Sequence, residues 1–292
     1  MYFPYLVARG EEVNALIGLN ILGPHSKVLP ILQAYSDDDD TKYSYTALVK
    51  ACKHLILKQN MFILIVEIGE SIDDLEAIPD FDTYCIRGYN RNQFDSIVFD
   101  SDLRYALLHE YPSTVVCDNS NIDYHIFMPN VIMFHTVLKM YPLDKVVPIA
   151  DAFVKHEPNR DYPREDVFNT ELPMTYANEG YVGFGDFTVL PYNSSIGGQA
   201  NANEITHVIH ITIFKDEHNM FYVDHYLTTP TEEPDNIRRS IKTIEKVIMN
   251  ISKYETTTGI ARLGSLSGSS TSLGMYKRLG IMHHIELMAS KI

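Results

Sequence analysis

Tryptophan is absent, cysteine occurs three times, and basic residues are outnumbered: 24 Lys and Arg against 38 Asp and Glu leave a net charge of −14. Each shortage excludes something. No whole-protein positive field exists to draw in a phosphate backbone, so direct nucleic-acid binding is not expected without a local basic patch, a metal or a partner. Cys52, Cys85 and Cys117 are too far apart for a CxxC ligand pair, and their odd number among apolar neighbours reads as free thiols in a reducing compartment. No apolar run nears the ~18 residues that span a bilayer; MFILIV at 61–66 is among the longest. The start MYFPYLVARG lacks the basic segment and long apolar core of a signal peptide. The expectation is an acidic, cytoplasmic protein with no membrane association.

Motifs are missing too. No GxGxxG follows a strand, the Ser/Gly stretch LGSLSGSSTSLG (263–274) lacks the GKS or GKT of a P-loop, and HHIEL (283–287) has the wrong order for HExxH. There is no GxSxG elbow and no kinase signature set. The acidic run Asp37–Asp40 lacks the glycine of an EF-hand turn and reads as a solvated loop tip.

What remains is length and alternation. A chain of 292 residues, 45% apolar, has room for a large core. Helical spacing at Glu11–Leu22 and Tyr45–Gln59 alternates with strand-like runs at 27–33, 61–68, 83–87, 113–118, 123–129 and 145–153. Helices are expected at Ser101–His109 and Val131–Met140 as well. The strands are apolar on both faces, as parallel strands covered by helices are. About seven or eight strand candidates favour a closed TIM-like (β/α) barrel over an open sheet. In the later third, 204–214 and 220–228 read as a hairpin around Lys215–Asn219, an antiparallel insertion. A long helix at Asp235–Ile251, a strand GIARLG and a terminal helix from about Ile281 follow. We expect one α/β-barrel domain over 1–292.

Side chains alternate along a strand, so Ile63, Ile65 and Glu67 share a face, as do Val147, Ile149 and Asp151, Leu29, Ile31 and Gln33, and Val182, Phe184 and Asp186. Each apolar row ends in a polar residue at the strand's C-terminal end, the rim where α/β barrels keep their active sites. Glu67, Asp151 and Asp186 at one mouth would hold a divalent cation such as Mg or Mn, or act as general acid and base, with His210 as proton carrier. A satisfied core histidine is the competing reading of His210. Lys155, Asn159, Arg160 and Asp161 form a loop that would either cover the mouth and grip a phosphate- or nucleotide-like ligand or pair internally; Arg9 is a further inward candidate.

In their order, PYLVARGEEVNAL, VLPILQ, IADAFVKHEPNRDYP, GFGDFTVLP, HVIHITIF, VDHYL and GMYKRLGIMHHIELM resemble the bacterial "beta protein" family and an uncharacterised sister family, over nearly the whole chain. The resemblance implies an α/β barrel, a place in phage-defence or mobile-element neighbourhoods, and a small protein partner encoded by a neighbouring gene. It marks Arg9, Asp151, Lys155, Asn159, Asp161, Gly185, Asp186, His210 and His284. Gln33 and Ala34 stand where that pattern has a glutamate, which weakens a metal or acid–base role for that strand. It leads to two expected functions: a defence component that hydrolyses a phosphate- or nucleotide-like substrate at the barrel mouth, or a non-catalytic sensor or scaffold that binds a partner or phage protein.

Overall fold

The structure, a computed structural model, describes residues 1–8, 10–33, 41–67, 72–91, 107–108, 114–118, 125–127, 146–150, 163–167, 172–188 and 205–292. Its strands are β1 (Tyr2–Val7), β2 (Ile31–Gln33), β3 (Phe62–Glu67), β4 (Cys85–Arg91), β5 (Leu107–Leu108), β6 (Thr114–Asp118), β7 (His125–Phe127), β8 (Val146–Ala150), β9 (Glu165–Val167), β10 (Phe184–Asp186), β11 (His207–Lys215) and β12 (Met220–Thr228). Its helices are α1 (Gly10–Gly18), α2 (Thr41–Leu57), the single turns α3 (Asp73–Glu76) and α4 (Phe81–Tyr84), α5 (Leu172–Thr175), α6 (Asn236–Ile248), α7 (Thr258–Ser265) and α8 (Leu273–Ser290). Among the described residues no helix is long and apolar enough to cross a membrane.

The fold is mixed α/β. From β8 through β10, β1, β2 and β3 to β4 every pairing is parallel. The remaining strands complete the closed order β1-β10-β8-β7-β5-β6-β4-β3-β2, with β6 antiparallel to both its neighbours. A separate antiparallel sheet has the order β11-β12-β9.

Two apolar clusters divide the parallel strands by parity. Phe3, Tyr5, Ile31, Ile63, Ile65, Ile86, Val147, Ile149 and Phe187 pack together in a group that, among the described residues, no helix residue joins. This is the inner face. Tyr2, Leu6, Leu32, Phe62, Leu64 and Phe184 belong instead to the cluster shared with α1, α2, α6, α7 and α8, which is the outer, helix-covered face. β1 and β10 lie unusually close. A Cβ on Gly185 would sit 2.5 Å from the Phe3 carbonyl oxygen, and one on Gly183 2.2 Å from that of Met1. Only glycine allows this approach.

Several sequence expectations need correction. Leu107–Leu108 is a short strand, not part of a helix. GIARLG is helix α7, not a strand, and the last helix starts at Leu273 rather than about Ile281. Both starts carry hydroxyl caps that the Ser/Thr/Gly-rich composition obscured: Thr257 accepts from the Ile260 amide and Ser272 from the Met275 amide. Gly259, within the expected strand GIARLG, lets α7 touch α8, since a Cβ would meet the Leu279 carbonyl oxygen at 2.3 Å. The acidic run Asp37–Asp40 and the expected helix Val131–Met140 lie outside the described residues. Cys52 and Cys85 are buried, and burial pushes the Cys52 thiol up to about 12.

Candidate functional site: a buried Asp186–His284–Thr212 chain

Asp186 ends β10 with Phe184 and Asp186 on one face, as the alternation requires. The β1–β10 register pairs Tyr2 with Phe184 and Pro4 with Asp186, so that face is the outer one. Asp186 therefore looks toward α8 and is fully buried. Its Oδ1 accepts the Tyr2 hydroxyl at 2.8 Å and the Thr188 amide at 2.8 Å. His284 Nε2 lies 3.1 Å from Oδ1 and 3.2 Å from Oδ2. The other ring nitrogen, Nδ1, is 2.8 Å from Thr212 Oγ1 on β11. With Nε2–H directed at the carboxylate, Nδ1 accepts a hydrogen bond from the Thr212 hydroxyl, an arrangement assigned from the partners. Burial, then the Asp186 charge and its hydrogen bond, push the Tyr2 phenol well above its ordinary range, so it stays a donor.

The chain continues on the same helix. His283 donates from Nε2 to the Thr212 carbonyl at 2.6 Å, and its Nδ1 is 2.8 Å from Thr257 Oγ1, the α7 cap. Glu286 accepts from the Thr258 amide. Two consecutive histidines thus tie α8 to β10, β11 and α7. Burial pushes His283 down to about 4, with the backbone bond to Thr212 opposing. A histidine depressed in the fold favours the neutral form, so the unfolded chain binds the extra proton first. Its contribution is complete above about pH 6.5 and lost as pH falls toward 4, by about 3 kcal/mol. Urea unfolding at pH 7.5 and pH 4.5 is expected to show this loss, and the His283→Gln variant is expected to show a correspondingly smaller one. Equal losses would mean that His283 does not carry this dependence.

Thr188 adds strain. It is a β-branched residue at φ 62°, in the left-handed region that glycine favours. Its buried hydroxyl finds no hydrogen-bond partner among the described residues.

Of the expected site residues, those described do not meet at one mouth. Gln33 is on the inner face, where Tyr5 donates to its Oε1 at 2.6 Å, while Asp186 is on the outer face. The two cannot line one mouth. Glu67 ends β3 on the parity of Ile63 and Ile65, the inner rows, but its side chain is not among those described. Arg9, Asp151, Lys155, Asn159 and Asp161 lie outside the described residues. His210 does not serve Asp186. Its Nδ1 is 2.8 Å from Nδ1 of His225, its cross-strand partner, so at least one of those nitrogens is unprotonated. His284 takes the place expected of His210. The Mg or Mn expectation finds no donor set at Asp186, whose oxygens face Tyr2, Thr188 and His284. Among the described residues no three His, Cys, Asp or Glu side chains group to hold a metal.

No protein-family model matches the chain, and no curated protein or solved structure matches it either. The site must therefore be judged on its own geometry. Sequence reasoning missed Tyr2, Thr188, Thr212 and His283. One signal was present: Thr212 shares parity with His210 on β11, and a threonine two residues along on the same face was the better candidate for a polar contact.

Proposed function

We propose that this protein is a non-catalytic component of a bacterial anti-phage or genome-conflict defence system, a sensor or scaffold that binds a partner protein through a TIM-like (β/α) barrel with an antiparallel insertion. The defence context rests on the resemblance of the ordered motifs. One observation supports the molecular class: Asp186, Thr212 and His284, drawn from three of those segments, meet Tyr2 in one hydrogen-bonded chain whose members are all fully buried. A group sealed from solvent ties elements together and offers no surface to a substrate.

A second reading has a specific observation in its favour. Carboxylate, imidazole and hydroxyl stand in the order used by nucleophilic hydrolases, and the strained Thr188 sits beside them. On that reading, opening of the cover over Thr212 would admit a phosphate- or nucleotide-like substrate.

Thr212→Val separates the two. Co-expressed with the product of the neighbouring gene, wild type and variant are both expected to elute as one complex in size-exclusion chromatography and to protect equally against phage plaques. Loss of protection with an unchanged melting temperature would favour the hydrolase. Separate elution of wild type and partner at micromolar concentration would overturn the scaffold reading.

A further inference from the structure

The antiparallel sheet has its own cavity, of about 370 Å³, lined by Arg164, Glu165, Ile213, Lys215, Asp224 and Lys253. The strand registers explain the lining. Ile211 pairs with Asp224 and Asp224 with Glu165, so these point to one face, and Ile213 and Lys215 follow Ile211 on the same parity. Lys253 comes from the single turn Ile251–Lys253 that follows α6.

The polar groups of this cavity divide into satisfied and available ones. Lys215 Nζ is bound to Glu165 Oε2 at 2.6 Å and lies over the Tyr222 ring. Asp224 is nearly buried, and its Oδ2 accepts the Tyr254 hydroxyl at 2.6 Å, with Tyr226 at 3.5 Å. Among the described residues nothing donates to Asp224 Oδ1, and neither Arg164 nor Lys253 has an ion-pair partner. Three cations face two carboxylates, a locally positive cavity on a protein of net charge −14. A concave site of this kind focuses anions, and its volume falls within the range of small-ligand pockets.

We propose that this cavity binds a hydroxylated phosphate monoester, a sugar phosphate or a ribonucleoside monophosphate. Arg164 and Lys253 grip the phosphate, the guanidinium by a two-point fork and the ammonium as a point charge. Asp224 Oδ1 accepts a ligand hydroxyl, held in place by the tyrosines that occupy Oδ2. The Lys215–Glu165 pair forms the wall. The site goes beyond the partner-binding reading and uses none of the residues in the Asp186 chain, so either proposal survives failure of the other.

The test is calorimetric titration of the full-length protein with inorganic phosphate, ribose 5-phosphate and AMP. Ribose 5-phosphate, AMP or both are expected to bind more tightly than inorganic phosphate, and more weakly as salt is raised. AMP tighter than ribose 5-phosphate identifies the nucleotide; equal affinities identify the sugar phosphate. Lys253→Glu and Arg164→Glu, both at exposed positions, are expected to weaken binding by about tenfold or more each. Asp224→Asn is expected to remove the preference over inorganic phosphate. Absence of binding by both esters at millimolar concentration, or affinities unmoved by Lys253→Glu and Arg164→Glu, would overturn the proposal.

Discussion

Asp186→Ala is expected to destabilise the protein by about 3–5 kcal/mol, the range for removing one partner from a buried polar or charged pair. The substitution leaves the Tyr2 hydroxyl, the Thr188 amide and His284 Nε2–H without their acceptor, all inside the core. His284 would then lose the orientation that brings Nδ1 to Thr212, and the link from β10 through α8 to β11 would go slack. Asp186→Asn retains one acceptor oxygen but turns an amide N–H₂ toward the imidazole. It is expected to lie between alanine and wild type. Urea midpoints and slopes measured at neutral pH for the three proteins check this. An alanine variant within about 1 kcal/mol of wild type would show that the chain is not what joins the two sheets.

The second large effect is expected at Arg239. This arginine is fully buried in α6. Its guanidinium donates to three carbonyls: Nε to Glu233 at 2.8 Å, Nη1 to Ile205 at 2.6 Å and Nη2 to Pro234 at 2.8 Å. Ile205 precedes β11, and Glu233 and Pro234 belong to the segment between β12 and α6. One side chain therefore pins both ends of the hairpin to the helix behind it. Hydrogen bonds to a charged donor are worth about 1.5–3 kcal/mol each, and losing several at once is not additive. Arg239→Met, which keeps much of the apolar stem, is expected to cost about 3–5 kcal/mol. Arg239→Lys should recover only a minor part, because an ammonium cannot reach three divergent carbonyls in the plane of a guanidinium. Hydrogen exchange offers a local readout: amides of β11 and β12 should lose protection in the methionine variant. Protection unchanged from wild type would mean that the sheet is held by its other contacts.

Neither residue announced its role in the sequence to the same degree. Asp186 was visible because a carboxylate interrupts an apolar strand between glycines and a further apolar run. Arg239 was not, because it sits in the amphipathic helix NIRRSIKTIEKVI among other charged residues, where a solvated arginine is the ordinary case. Its burial depends on a loop and a strand that fold over it from elsewhere in the chain. The histidines show the same contrast. His210 drew notice as a lone histidine in a strand, and its partner proved to be His225, directly across the hairpin. His283 and His284 lie side by side on α8 and both reach Thr212 on β11, but their other ring nitrogens diverge, one to Thr257 at the start of α7 and the other to Asp186 on β10, which the sequence does not spell out.

Local spacing by itself determined much of the framework. Hydrophobic periodicity marked the parallel strands β2, β3 and β8, the helices α2 and α6, and the hairpin, whose second strand runs over Met220–Thr228 as its pattern implied. Alternation also correctly put Phe184 with Asp186, and Ile31 with Gln33. What only the tertiary structure decided is which of a strand's two faces is inside. A period of two relates side chains to one another but carries no absolute sign, and parallel strands buried on both faces present no polar side to supply one. The pairing of β10 with β1 supplied it, turning Asp186 outward to His284 and Thr212 while Gln33 stayed within.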